Sequence, residues 1–100
     1  MEIRHDDKKH WFWTVEDKYI AHVAYELTED GGLDIRHTIV PEEIGGRGIA
    51  SALVREAYNY ARAHGLKPVA TCSYAVRWLE KHPDYEGKIN EDYKPGACAL

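Results

Sequence analysis

A run of glycines in the middle of the chain is the feature best suited to chemistry. Residues 45–50 read Gly-Gly-Arg-Gly-Ile-Ala and lie between a strand-like segment and a segment of helical periodicity. Glycines leave backbone N–H groups accessible, and the N-terminus of a following helix adds about half a positive charge. This order of elements favours the binding of a diphosphate. The same pattern also occurs in ordinary connections, so both interpretations stay open at this point.

Two better-known phosphate loops do not fit these residues. A P-loop requires Gly-Lys-Ser/Thr, which is absent from the sequence. A dinucleotide-binding fingerprint requires a further parallel strand that ends in an acidic residue about 20 positions later. The glycine loop therefore belongs to neither of these two classes.

Cys72 and His37 are the candidate reactive side chains. Cys72 ends a short apolar segment, residues 68–71, directly before a predicted helix whose N-terminus would lower the pKa of a thiol. It is either a reactive nucleophile or a buried core cysteine. His37 is either a general base or a core imidazole. If their two strands are neighbours, the side chains could approach each other as a nucleophile and its base.

The elements that position these residues begin with three predicted strands. Residues 10–16, 19–27 and 33–40 alternate or are rich in aromatic and β-branched side chains. Turn signals separate them, so we expect an antiparallel meander, with residues 3–5 as a short edge strand. On the third strand, alternation predicts that Leu33, Ile35, His37 and Ile39 share one face, and that Asp34, Arg36 and Thr38 share the other.

The second half of the chain reads as helix, strand and helix. Residues 49–64 have helical periodicity and end at Gly65, a residue type that favours a left-handed cap. The predicted apolar stripe of this helix consists of Ile49, Leu53, Ala57, Tyr60 and His64. A short strand at residues 68–72 and a helix at residues 74–82 follow. Strand, helix and strand in this order imply a parallel pair joined by a right-handed crossover.

The length of 100 residues suits a single hydrophobic core. We predict one α/β domain over residues 1–85. Residues 86–100 are polar, contain Gly87, Pro95 and Gly96, and are expected to form an extended C-terminal tail. Cys98 falls in this tail and is expected to be inert.

Composition excludes several classes of function. The 13 basic and 17 acidic residues give a net charge of -4 without a basic cluster, so nucleic acid is not an expected partner. No apolar run has the length of a membrane span, and no signal-peptide pattern is seen at the N-terminus. We therefore expect a cytoplasmic monomer or small homo-oligomer with reduced cysteines. The six histidines lack metal-ligand spacing, so no metal is expected.

The glycine loop resembles a third phosphate-binding motif. Residues 45–50 look like the Arg/Gln-x-x-Gly-x-Gly/Ala signature of the GNAT acetyltransferases, and they follow Val40-Pro41-Glu42 as in that family. Further similar segments are residues 37–41, 61–67, 71–74 and 82–85. Together they cover nearly the whole chain up to Tyr85 and resemble a minimal, single-domain GNAT-like subgroup.

This resemblance implies a truncated acetyltransferase fold that binds coenzyme A or acetyl-CoA. The residues expected to hold the cofactor are Ile39, Val40, Gly45, Gly46, Arg47, Gly48, Ile49 and Ala50. The resemblance also places Cys72 at the thiol end of the cofactor, and His37 is the candidate base. It implies transfer of an acetyl group to an amine that the sequence does not identify.

Two departures from the family pattern leave a second function open. Gly45 replaces the Arg/Gln at the first motif position, and Leu79 stands where many members of the family carry a tyrosine that protonates the departing thiolate. A non-catalytic CoA-binding sensor or interaction module is therefore the alternative to an N-acetyltransferase.

Overall fold

The hydrophobic periodicity produces a six-stranded sheet with two helices. The computed structural model describes residues 1–95, and within them the order of strands along the chain is also their order across the sheet. The strands are β1 (Arg4–Asp6), β2 (Trp11–Glu16), β3 (Tyr19–Leu27), β4 (Gly32–Ile39), β5 (Lys67–Ala70) and β6 (Lys88–Ile89). The helices are α1 (Ile49–Ala63) and α2 (Ser73–Lys81). The meander and the parallel β4–α1–β5 crossover confirm the predicted fold class.

The turn between β2 and β3 has the geometry that its two residues favour. Asp17 and Lys18 both have positive φ, 49° and 72°. Two left-handed residues form the type of two-residue turn that matches the right-handed twist of the flanking strands. The antiparallel pairing therefore runs without interruption from the Glu16–Tyr19 pair to the Trp11–Ala24 pair.

Both helices pack on one face of the sheet and form a single core. The buried residues of α1 are Ile49, Leu53, Val54, Ala57, Tyr58 and Ala61. The Tyr58 hydroxyl donates to the Val69 carbonyl at 2.7 Å and thereby ties α1 to β5. The predicted stripe is wrong in its last member, His64, which is exposed, whereas Tyr60 is partly buried and packs against the core. Tyr60 and His64 lie at the flank and stack on each other at 4.0 Å.

A β-bulge changes the face of the sheet to which the side chains in the second half of β4 point. Ile35 pairs with Tyr25 while His37 pairs with the preceding residue of β3, Ala24, so Arg36 is an extra residue in β4. A bulge reverses the alternation beyond it. Thr38 is consequently buried with Ile35, whereas His37 is exposed on the opposite face. The predicted placement of His37 on the same face as Ile35 is therefore wrong.

The sheet continues beyond the predicted domain boundary at residue 85. The β6 strand pairs in parallel with β5, and the Asn90 amide N–H donates to the Ala70 carbonyl at 2.8 Å. The Asn90 side chain also donates to the buried carboxylate of Asp34 at 2.9 Å. Residues 88–90 are thus held by backbone and side-chain hydrogen bonds. Cys98 lies outside the described residues.

Histidine protonation is expected to weaken the attachment of the edge strand β1. His5 stacks on Phe12 at a centroid distance of 4.2 Å and shares a hydrogen bond with the Tyr25 hydroxyl. Burial lowers the pKa of His5 below 6.5, although the nearby carboxylates of Asp7 and Asp6 act in the opposite direction. The unfolded chain therefore binds this proton more readily than the folded chain. The contribution of the neutral His5 ring to folding stability is fully present above the pKa that His5 has in the unfolded chain. It decreases as the pH falls below that pKa.

A comparison of unfolding free energies at about pH 7.5 and about pH 5.5 tests this pH dependence. His5→Gln keeps an amide donor but removes the titrating ring, so its stability is expected to fall less at the lower pH. Some dependence should remain in this variant, since burial also lowers the pKa of His22. If the unfolding free energy of His5→Gln falls as much between the two pH values as that of the wild type, protonation of His5 does not cause the pH dependence.

Candidate functional site

The strands β4 and β5 separate at their carboxyl ends and leave a wedge between them. Their last parallel pair is Ile35 with Ala70, although β4 stays paired with β3 as far as Ile39. The Ile35 carbonyl accepts from the amides of both Thr71 and Cys72, at 3.0 and 3.1 Å. After this point β5 turns away into α2. Beyond the bulge, β5 no longer runs beside β4, and a cleft lined by Thr38 and Val40 begins there.

The glycine loop forms one end of this cleft. Gly46 and Gly48 have φ of 75° and 77°, a region that side-chain-bearing residues rarely adopt, and a Cβ atom at either position would have no neighbour within 4 Å. Ile44 is fully buried and anchors the loop to the core. The loop is therefore shaped by backbone conformation, and Gly46 and Gly48 add no side chain to the space in front of it.

The start of α1 presents unsatisfied backbone donors. Ala52 donates to the Gly48 carbonyl at 3.1 Å, and the amides of Ile49, Ala50 and Ser51 precede this first helical bond. Among residues 1–95, no side chain caps the helix at Gly48. N–H groups in this arrangement, together with the helix dipole, form a site for an anion.

The cleft has a volume of about 480 Å³. It extends from the glycine loop into the wedge, where the end of β4 and the start of α2 form its two sides. Six of the eight predicted cofactor-binding residues line it: Val40, Gly45, Gly46, Gly48, Ile49 and Ala50. Six further residues complete the lining: Thr38, Ile44, Ser51, Ser73, Tyr74 and Arg77. The walls thus combine backbone donors at one end with the apolar side chains of Val40, Ile44 and Ile49 and with polar side chains from α2.

Ile39 and Arg47 do not line the cleft. Ile39 follows the bulge onto the opposite face of the sheet, where it is 38% exposed. The Arg47 guanidinium points to the β2–β3 turn and forms an ion pair with Asp17 at 2.7 Å. Arg47 therefore fastens the glycine loop to the hairpin, and its side chain is not directed at the anion site.

The structure does not bring Cys72 and His37 together. Cys72 is fully buried at the start of α2, and its Sγ atom lies 3.3 Å from Thr38 Oγ1. His37 is exposed on the opposite face of β4, across from Ala24. The side chain of β4 that contacts the Cys72 sulfur is thus that of Thr38, because the bulge exchanges the faces of residues 37 and 38.

The α2 wall of the cleft contains the residues that sequence reasoning missed. Arg77 lies four positions after Ser73 and three after Tyr74, so the three residues share one side of the helix. That spacing after the strand end at Cys72 is the signal that would have indicated them. Leu79, which was predicted to stand at a general-acid position, is only 7% exposed and belongs to the core. It does not line the cleft.

Two other kinds of site are not seen in the described chain. Residues 1–95 contain no group of three His, Cys, Asp or Glu side chains arranged to hold a metal ion. Within the same residues, neither α1 nor α2 is long and apolar enough to cross a membrane.

Comparisons with known proteins agree with this geometry. Protein NATD1 from Danio rerio is 30% identical over 95 residues, which cover 89% of this chain and 84% of that protein. The human Protein NATD1 is 28% identical over 87 residues, which cover 83% of this chain and 75% of that protein. The NMR structure of a GCN5-like putative N-acetyltransferase from Staphylococcus aureus superimposes with a TM-score of 0.67 at 30% identity, covering 89% of this chain and 87% of the other. The family model described as GCN5-related N-acetyl-transferase matches residues 10–88. The chain therefore belongs to the GCN5-related N-acetyltransferase family.

Proposed function

We propose that this protein binds acetyl-CoA in the cleft between β4 and α2 and transfers the acetyl group to an amine. The observation that carries the proposal is the continuity of the cleft: the donor-rich start of α1 leads directly to the part of β4 that lies beyond its last pair with β5. A diphosphate suits the first part, and an extended amide-containing arm suits the second. Membership of the family supports the same ligand.

The residues present fit the parts of this ligand. The amides of Ile49, Ala50 and Ser51 are oriented toward an anion, and no side chain competes for them as a cap. Val40 and Ile49 supply apolar walls for the arm that links the diphosphate to the thioester. The thioester end would then lie between Thr38 and the first turn of α2.

Tyr74 contributes a phenol group to the lining of the cleft, and this group is suited to donate a proton. Acetyl-CoA supplies an activated acyl carbon, so that an amine nitrogen forms the new amide bond as the carbon–sulfur bond breaks. The departing sulfur then needs a proton, which a phenol beside it can donate. The attacking nitrogen loses a proton as the amide forms, and transfer of that proton through solvent restores the phenol. We assign this role to Tyr74, which lies one residue after the turn from β5 into α2, whereas Leu79 is buried in the core.

Direct attack by the amine fits the geometry better than transfer through Cys72. Cys72 is shielded from solvent beneath Thr38, and His37 lies on the other face of the sheet. A base must approach the proton it removes within hydrogen-bonding distance. The catalytic roles of Cys72 and His37 stay predictions, and the proposed transfer does not require them.

Release of CoA thiol from acetyl-CoA in the presence of primary amines tests the transfer. The amines should include a polyamine, a lysine-containing peptide and an aromatic amine. With an active acceptor, Tyr74→Phe is expected to lower kcat by about 100-fold, the typical contribution of a general acid, and to leave the affinity for CoA nearly unchanged. Tyr19→Phe, a change at a partly exposed tyrosine beside the β2–β3 turn, is the matched control.

The second candidate function is CoA binding without turnover. The burial of Leu79 favours it, because the phenol that many related enzymes use at that position is missing here. Acetyl-CoA binding with no thiol release for any amine would support this alternative. Equal turnover of Tyr74→Phe and the wild type would instead contradict the role of Tyr74.

A further inference from the structure

We propose that Arg77 supplies the cation that the glycine loop lacks, and that its guanidinium binds the diphosphate of CoA. This inference rests on the proposed function, since it names a binding residue for that same ligand. It concerns a residue on α2, outside the loop, and it follows from the distribution of arginine partners in the described chain.

The loop lacks a side-chain cation toward its anion site. Gly45, at the position where the loop signature carries Arg or Gln, has no side chain. Arg47, the one arginine within the loop, is paired with Asp17 at 2.7 Å. Glu42 and Glu43 are exposed immediately before the loop and add negative charge beside it. A doubly charged diphosphate would therefore meet backbone donors but no cation from the loop.

Arg77 differs from the other arginines in having no partner among residues 1–95. Of the six arginines in the sequence, five contact an acidic or aromatic side chain. These five are Arg4, Arg36, Arg47, Arg55 and Arg62. Arg77 is exposed, and it is the arginine that lines the cleft.

The position of Arg77 suits a phosphate ligand. It lies on the face of α2 that also presents Ser73 and Tyr74 to the cleft, opposite the glycine loop. A guanidinium can donate two parallel hydrogen bonds to phosphate oxygens and keeps its charge throughout the physiological pH range. The diphosphate would then lie between the amides of α1 and the side chain of Arg77.

Calorimetric titration with CoA and with 3′-dephospho-CoA tests the assignment. Arg77→Ala is expected to raise Kd about tenfold for both ligands, because both contain the diphosphate. Arg62→Ala is the matched control: it removes the same charge from a helix surface, but from a residue that packs over Tyr85. Its affinity for both ligands should equal that of the wild type. Circular dichroism should show folded protein for both variants.

A second substitution, which returns a cation to the loop, tests whether the lost charge explains the lost affinity. The backbone at Gly45 has φ of −67° and so accepts a side chain, although the nearest atom to a new Cβ, the Glu42 carbonyl oxygen, is 3.3 Å away. Gly45→Arg in the Arg77→Ala background is expected to recover most of the lost affinity, because it returns a cation to the same anion site.

The outcomes separate this inference from the proposed function. Absence of CoA binding by the wild type would overturn both. Wild-type binding with unchanged affinity in Arg77→Ala, or equal losses in Arg77→Ala and Arg62→Ala, would overturn the inference alone. A loss for CoA but not for 3′-dephospho-CoA would place Arg77 at the 3′-phosphate and would also overturn the diphosphate assignment.

Discussion

Gly48→Val is expected to abolish CoA binding, with an affinity loss of at least about 100-fold, which corresponds to about 2.8 kcal/mol. Gly48 adopts φ of 77° at the start of α1, and its missing Cβ leaves open space where it lines the cleft. A β-branched side chain would enter that space and would also strain the left-handed backbone. Both effects disturb the amides that hold the diphosphate. Calorimetry with CoA measures the loss.

Gly65→Val is the matched control for this change. Gly65 has φ of 70°, and a Cβ atom added to it would likewise have no neighbour within 4 Å, but it follows the C-terminal end of α1, away from the cleft. Its backbone strain, of about 1–3 kcal/mol, should be similar to that of the Gly48 variant. It should bind CoA as the wild type does. Wild-type affinity in a folded Gly48→Val variant would contradict the assignment of the loop.

Asp34→Ala is expected to lower the free energy of unfolding by about 3 kcal/mol. The Asp34 carboxylate is 1% exposed and accepts hydrogen bonds from Thr71, Asn90 and Arg36. Removal of the carboxylate leaves the buried Thr71 hydroxyl without this acceptor. It also removes the hydrogen bond that holds the Asn90 side chain to β4. The estimate is at the lower end of the range for broken buried pairs, because Arg36 is 30% exposed and can be hydrated. Urea denaturation measures the change.

Asp92→Ala is the control on the exposed side of the same network. Asp92 also contacts Arg36, at 3.5 Å, but its side chain is 65% exposed. Exposed ion pairs contribute little, so this variant should remain close to the wild type. Hydrogen exchange at residues 88–90 should increase in Asp34→Ala and not in Asp92→Ala. Equal stability of the two variants would show that the buried network does not hold the sixth strand.

The meander and the crossover could be predicted because their signals are local. Alternation over residues 19–27, glycine and acidic turn residues, and helical periodicity from Ile49 onward each determine one element. The bulge at Arg36 has no comparable signal, since one inserted residue leaves the composition of the strand unchanged. For this reason the faces of His37 and Thr38 were predicted the wrong way round. β6 has only two residues, too few for a periodic pattern, and its partners β5 and the Asp34 carboxylate are distant in the sequence.

The two walls of the candidate site differ in how far the sequence predicts them. The loop wall is local, because glycines and a helix start are adjacent along the chain, and Gly45, Gly46 and Gly48 all line the cleft. The α2 wall depends on how β5 and its turn orient a helix that lies well beyond the loop in the sequence. The same holds for Arg47, whose partner Asp17 lies in a distant hairpin. Tertiary contacts of this kind leave no trace in local periodicity.

The binding site of CoA can be mapped most directly by a nuclear magnetic resonance titration of ¹⁵N-labelled protein. We expect saturable shifts, with Kd in the micromolar range, for the amides of Gly46, Gly48 and residues 49–51, followed by those of residues 38–40 along the edge of β4. Amides of β1, at the far edge of the sheet, should not move. The absence of shifts at millimolar CoA, or shifts confined to residues outside the cleft, would contradict the assignment of this cleft as the acetyl-CoA site.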